Sequence, residues 1–316
     1  MRILVTGGAG FIGSHLTEAL VKQGHQVRVL DDFSSGKTQN LRAVRGDVEL
    51  RRGDCADPAT TRRAVKGVEA VFHEAAVPSV ARSVKDPALA HRTGATATLN
   101  LLLAARDAGV RRVIYAGSSS VYGNTKELPK RETMRPWPLS PYAVSKLAGE
   151  EYLRIFAGLY GLETLTVRYF NVFGPRQDPG SPYSGVISLF TTALLRGQRP
   201  VIYGNGRQSR DFTYVENVVR GNLLALRAKG ASGQAVNLAT GHRVTLLELL
   251  RELGRITGRP ARAEHRPPRA GDVKDSLADI GLARRLLGYR PVVSFEEGLR
   301  RTVDWYRTSG ADAEKA

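Results

Sequence analysis

A single cysteine, Cys55, in 316 residues leaves no partner for an internal disulfide and, by itself, no cysteine-type metal site. No apolar run approaches the roughly 20 residues that a membrane-spanning helix needs, and Leu101 to Ala105 is among the longest. The opening residues MRILVTGG pass straight into a strand pattern, without an apolar signal core or a cleavage motif. A cytoplasmic location without a membrane partner is therefore expected. Lysine is scarce too: 10 of the 47 basic residues, the other 37 being arginine. These arginines are scattered from Arg2 to Arg307, with pairs such as Arg62-Arg63 but no long basic block, zinc-finger spacing or RNA-recognition signature. The formal charge of +17 thus reads as solvated faces, or as a field attracting a polyanionic small substrate, and no specific nucleic-acid partner is expected.

With 42% hydrophobic and 24% charged residues the chain has material for a sizeable core. Strand-like runs at Arg2–Thr6, Gln26–Leu30, Val48–Gly53, Ala70–His73, Val110–Ala116 and Thr164–Arg168 alternate with helical patterns. The helical stretches are Ile12–Lys22, Pro58–Val65, Ala95–Ala108 and Tyr142–Tyr160. Such alternation predicts an α/β fold of Rossmann type, a doubly wound parallel sheet with helices on both faces. After Tyr169 a Gly- and Pro-bearing loop changes the rhythm. Further units follow: a strand at Gln234–Asn237 that returns to the main sheet, a helix at Thr245–Thr257, a strand at Arg262–His265 and a helix at Phe295–Arg307. The expected organisation is residues 1–170 as a dinucleotide-binding domain with return segments near 211–240, and 171–316 mainly as a smaller, interleaved α/β substrate-binding domain.

Thr6–Gly13 reads TGGAGFIG, directly after one strand and opening one helix. Glycines at this spacing serve a tight turn, a close backbone approach to a pyrophosphate and tight packing of helix on strand, while the helix N-terminus offers free N–H groups to phosphate. Asp31 closes the second strand, where a carboxylate accepts ribose hydroxyls and repels a 2′-phosphate, so NAD is favoured over NADP. Asp54 closes the third strand, as an adenine neighbour or as a turn and cap residue. Tyr142 and Lys146 stand four apart in SPYAVSK, on one helix face. A neighbouring ammonium lowers a phenol's pKa and prepares it as a base. Ser118, beyond the strand that ends in GSSSVYG, puts a hydroxyl into the same crevice. His73 reads as structural, since no cluster of possible metal ligands accompanies it.

These residues lie within a longer series: TGGAGFIGSHL, LDDFSSG, FHEAA, SSSVYG, YAVSK, RYFNVFGPRQDP, SRDFTYVENV and RAGDVKDSLAD. From Arg2 to about Arg307 the chain resembles the extended short-chain dehydrogenase/reductase family, and within it the nucleotide-sugar 4-epimerases. The resemblance implies a catalytic triad of Ser118, Tyr142 and Lys146. It implies NAD contacts from Gly7, Gly10, Phe11, Ile12, Asp31, Asp54, Ala75 and Lys146, and no metal. Asn171 and Arg210 resemble residues that hold a substrate diphosphate, and Arg269 and Asp272 a phosphate- and ribose-binding pair; either arginine is otherwise a surface ion pair. A homodimer through a four-helix bundle is implied, with Leu99, Leu102, Leu103, Leu153 and Phe156 serving either that interface or the core. The chain departs from the family at Gly94, where an asparagine usually stands, and looser contacts around the serine strand are expected there.

The resemblance also divides the reactions. A 4,6-dehydratase carries an Asp-Glu pair after the hydroxyl residue and a nucleotide-sugar-acid decarboxylase a Glu at the second place; here Ser119 and Ser120 stand instead, facing the substrate. What remains is epimerisation through a transient 4-keto sugar. Four residues after Asp272 lies Ser276, where the family places a gate on substrate size, and its smallness implies activity on UDP-glucose/UDP-galactose and on their N-acetylated counterparts. Arg82 and Ser83 also resemble the broader-specificity branch. A UDP-glucuronate 4-epimerase is the close alternative, the three serines and Arg176 holding the carboxylate, with a dehydratase or decarboxylase behind it. From another class, an NAD-sensing binding protein would not need Ser118, Tyr142 and Lys146 together.

Overall fold

Sequence alternation of apolar strands and amphipathic helices produces one seven-stranded parallel sheet in the computed structural model, which describes residues 1–77, 79–180, 185–268 and 274–313. Its strands are β1 (Arg2–Thr6), β2 (Gln26–Asp31), β3 (Val48–Arg52), β4 (Ala70–His73), β5 (Arg112–Ser118), β6 (Glu163–Tyr169) and the returning strand Gln234–Leu238. Their spatial order is β3-β2-β1-β4-β5-β6, with the returning strand outside β6. The chain winds outward from β1 to β3, then starts again beside β1 with β4. The reversal opens a crevice at the carboxyl ends of β1 and β4, where open α/β sheets bind ligands. Among the described residues no helix is long and apolar enough to cross a membrane.

Successive side chains on a strand point to opposite faces, and here both faces are covered. Val5, Phe72, Ile114 and Val167 pack with α1 (Phe11–Lys22) on one side. Leu4, Val71, Val113 and Tyr115 pack on the other with α2 (Pro58–Val65), and two short helices follow, α3 (Val80–Lys85) and α4 (Pro87–His91). The same face receives α5 (Ala97–Asp107) and α6 (Pro141–Tyr160). The start of α6 is fixed locally: the Ser140 hydroxyl accepts from the Ala143 N–H at 3.2 Å, Pro141 takes the first position, and Gly161 ends the helix at φ +65°.

Beyond residue 170 a second core gathers around Phe173, with Phe190, Leu249 and Leu299 brought to it by α7 (Val186–Leu195), α9 (Leu246–Thr257) and α11 (Phe295–Ala313). Between them α8 (Val215–Arg227) and α10 (Gly281–Leu287) pack on the main sheet. Short ladders join Val172–Phe173 to Thr213–Tyr214, and Ser209–Arg210 to Val244–Thr245. A buried ion pair, Arg168 with Glu150, ties β6 to α6. Arg168 also donates to the Tyr122 hydroxyl at 2.7 Å, and that hydroxyl donates to Asn237 Oδ1 at 2.7 Å, so the charges are buried with their hydrogen bonds made.

Several local expectations shift. β5 begins at Arg112 and runs on to Ser118, because Val110 is still bonded to the end of α5 through its N–H to the Ala105 carbonyl at 2.9 Å. The helix expected from Ala95 is preceded by a π-helical turn, Arg92–Thr96, where the Thr98 hydroxyl donates to the Gly94 carbonyl at 2.6 Å. The strand near 262–265 is Glu264–Arg266, paired with Val201–Tyr203. Of the five apolar residues left between core and interface, Leu102, Leu153 and Phe156 are buried in the core, Leu99 is partly buried and Leu103 is exposed. On α6 the exposed large hydrophobic residues are instead Val144, Ile155, Leu159 and Tyr160.

Candidate active site

A cleft of about 790 Å³ crosses the carboxyl ends of the sheet strands. It brings together Gly7, Gly10, Phe11, Ile12, Asp31, Asp54 and Ala75 at one end, Ser118, Ser119, Ser120, Tyr142 and Lys146 in the middle, and Asn171, Arg210 and Ser276 on the far wall. Arg269 and Asp272 lie outside the described residues. Arg82 and Arg176 also line the cleft, whereas Ser83 is buried beside it, donating to the Val80 carbonyl at 2.6 Å.

The glycines are required by space. A Cβ on Gly13 would stand 2.2 Å from the Gly7 carbonyl oxygen, and one on Gly7, already at φ +66°, would stand 2.8 Å from the Ala75 backbone. Gly10 then opens α1 with no capping side chain, which leaves the first-turn N–H groups for an anion. At the end of β2, the Asp31 carboxylate accepts from the Ala9 N–H at 2.9 Å and from the Phe33 N–H at 2.8 Å. Burial nevertheless pushes its pKa up. Asn40, buried, donates to the Ala9 carbonyl at 2.8 Å and pins the same loop. A glycine cradle, an open helix terminus and a fixed acid at a strand end together fit a dinucleotide. Asp54 acts as a turn residue, accepting from the Ala56 N–H at 2.8 Å and pairing with Arg92, while still lining the cleft. Cys55 beside it is inert, its thiol pushed up to about 12 by burial.

In the middle of the cleft the Tyr142 phenol and the Ser118 hydroxyl line the same wall, and the hydroxyl favours the phenol's charged form. Ser118 in turn accepts from the Ser120 hydroxyl at 2.9 Å and from the Ser120 N–H at 3.2 Å. Lys146 donates to the Ala116 carbonyl at 2.8 Å and sits over the Tyr115 ring, 4.8 Å from its centroid. Burial lowers its pKa to about 8, opposed by the charge of Glu74. The expected lowering of the phenol does not arise from these side chains. Burial pushes Tyr142 up, only the Ser118 hydroxyl opposes it, and the ammonium is directed to Ala116 and Glu74.

On the far wall Asn171, at φ +35°, donates to the Asp211 carbonyl at 3.1 Å and faces the Ser276 hydroxyl at 3.4 Å. Arg210 donates to the Ser209 and Lys274 carbonyls at 2.9 and 3.0 Å. Asp211 underneath is buried and takes N–H groups from Thr240, Gly241 and Ala278, which holds three loops together. Arg176 is committed elsewhere: it pairs with Glu18 at 2.6 Å and donates to Ser14 at 3.2 Å.

Gly94 leaves no loose space. A Cβ there would stand 2.5 Å from the Ser145 hydroxyl, so α6 itself fills the place of the missing side chain. His73 is buried between hydroxyls, with Nδ1 2.7 Å from Thr6 and Nε2 3.1 Å from Thr98, and burial lowers its pKa to about 3. Glu74 lines the cleft, and sequence reasoning gave it no role. The available signal was an acid immediately after a buried strand end, within FHEAA.

The model of the NAD dependent epimerase/dehydratase family matches residues 3–239. The UDP-glucose 4-epimerase of Mycolicibacterium smegmatis is 40% identical over 311 residues, 97% of this chain and 99% of that protein. The crystal structure of UDP-glucose 4-epimerase from Thermotoga maritima with UDP-glucose has a TM-score of 0.94 at 40% identity, covering 98% of this chain and 99% of that one. That of UDP-glucuronic acid 4-epimerase from Bacillus cereus, with UDP-glucuronic acid and NAD, has a TM-score of 0.91 at 32% identity, covering 98% and 100%. Further relatives are named as a UDP-N-acetylglucosamine 4-epimerase and as decarboxylases of nucleotide-sugar acids.

Proposed function

The chain belongs to the NAD-dependent epimerase/dehydratase family, and we propose that its reaction within that family is 4-epimerisation of a UDP-sugar. Residues 1–170, with the return near 211–240, form the NAD-binding part in this reading, and 171–316 mainly the sugar-nucleotide part. When bound, NAD supplies the acceptor, and later the donor, of the hydride at C4 of the hexose. Gly7, Gly10, Phe11 and Ile12 hold its pyrophosphate, Asp31 its ribose, Asp54 and Ala75 flank it, and Lys146 holds the ribose at the reacting end.

Tyr142 takes the proton of the 4-hydroxyl, with Ser118 bonded to both oxygens so that it steadies the reacting oxygen and passes the proton. The phenol needs a cation to work as a base against its own burial, and Lys146, one helical turn further on, is the group placed to serve. Asn171 and Arg210, with Arg269 and Asp272, grip the diphosphate and ribose, so the 4-keto sugar turns about that anchor and presents its other face. The observation that carries the reading is the convergence of Ser118, Tyr142 and Lys146 in one cleft, with hydroxyls at Ser119 and Ser120 where elimination would need a carboxyl pair.

Ser276, small and facing Asn171, leaves room beside the sugar, so UDP-glucose/UDP-galactose and their N-acetylated forms are all substrates. The exposed Val144, Ile155, Leu159 and Leu103 are the faces through which α5 and α6 build a homodimer. A second reading, UDP-glucuronate 4-epimerase, is favoured by the serine run; against it, Arg176 is already paired with Glu18. Turnover on a panel of UDP-sugars tests the reading. Interconversion of the glucose/galactose and N-acetylated pairs is expected, at least tenfold above the glucuronate pair. Conversion of glucuronate alone overturns it.

A further inference from the structure

Glu74 is a carboxylate that the proposed mechanism does not use, and its placement gives it one. Strand alternation at the end of β4 sends His73 to one face, between Thr6 and Thr98, and Glu74 to the other. There its Oε1 accepts from the Tyr169 hydroxyl at 2.7 Å, and that hydroxyl accepts from Asn222 Nδ2 of α8 at 2.8 Å. The chain of donors fixes the carboxyl from behind. Its front is half-buried and opens into the cleft. Tyr169 is the register partner of Ser118 across β5 and β6, so the Glu74 carboxyl, whose backbone adjoins the Gly7 turn, is tied to the strand pair that carries Ser118. Among the described residues no cation forms an ion pair with it. The charge that faces it is that of Lys146, whose ammonium is bonded to the Ala116 carbonyl.

A fixed anion there distinguishes the two states of a nicotinamide, since the oxidised ring carries one positive charge and the reduced ring none. We propose that Glu74 is a positioning residue that sets the redox poise of the bound cofactor, its carboxylate favouring NAD over NADH. The inference rests on the reading that the Ser118–Tyr142–Lys146 end receives the nicotinamide. It deepens that reading, because an enzyme that lends a hydride and takes it back is disabled whenever the sugar leaves and the cofactor stays reduced. Burial pushes the Glu74 pKa up to about 7, against the Tyr169 hydrogen bond and the Lys146 charge, the titratable groups that face it. The bias is therefore present above that pH and fades below it.

The test is partition of the cofactor. Holoenzyme is incubated to exchange equilibrium with a defined mixture of NAD and NADH, desalted and denatured, and the released cofactors are quantified. At pH 8.5 E74Q is expected to shift the bound ratio about tenfold or more towards NADH relative to wild type, tenfold corresponding to about 1.4 kcal/mol of charge interaction lost. At pH 6 the wild-type ratio moves towards that of E74Q, whose own ratio stays flat. Y169F keeps the carboxyl but removes the bond that favours its charged form, so the wild-type pH transition moves upward; this variant serves if E74Q does not fold. Equal ratios for wild type and E74Q at pH 8.5, with UDP-galactose still converted by wild type, overturn the inference and leave the proposed reaction standing. Retention of neither cofactor by wild type overturns both.

Discussion

The two ends of the cleft are made from different materials. At the Asp31 end the contacts are backbone: a glycine turn, the open start of α1 and a carboxylate held by two N–H groups, one from the glycine loop and one two residues on. At the Ser276 end they are side chains on loops far apart in sequence, Asn171, Arg210 and Ser276, gathered around the buried Asp211. The first construction tolerates almost no change in shape. The second can be re-cut residue by residue while the scaffold stays, which is how one fold carries a common cofactor and varied sugars.

Substitution breaks the first end most severely. Gly13→Ala puts a methyl 2.2 Å from the Gly7 carbonyl oxygen, a backbone atom that cannot step aside. A loss of about 3 kcal/mol is expected, with bound cofactor lost and a melting temperature lower by several degrees. Thermal melts together with release of cofactor on denaturation check it, and a variant that keeps full cofactor and stability contradicts the close-packed cradle. At the other end the effect is selective. Ser276→Tyr narrows the space beside Asn171, and kcat/KM for the N-acetylated sugars falls about tenfold or more relative to UDP-galactose. Equal losses for both would show that Ser276 gates nothing.

The same contrast explains what was legible in the sequence. The sheet and the glycine loop were readable because apolar periodicity and the spacing Gly7, Gly10, Gly13 are local signals. Every proposed site residue within the described segments reaches the one cleft, including Ser118, which closes β5. The short helices α3 and α4 were not foreseen, since 6 and 5 residues are too few to display a period. The assignment of Leu102, Leu153 and Phe156 to the core depends on which helix faces meet across the sheet. Glu74 was missed because its partner Tyr169 lies 95 residues away. Spacing likewise places Lys146 on the face of Tyr142 but does not say which acceptor its ammonium finds, here the Ala116 carbonyl.

The central claim is that Tyr142 moves the proton while a cofactor bound independently of it moves the electrons. Removing the phenol oxygen alone separates the two roles. Tyr142→Phe, assayed for UDP-galactose conversion and for cofactor released on denaturation, is predicted to lose about 10²–10⁴-fold in turnover with its NAD content unchanged. Turnover close to that of wild type would contradict the account.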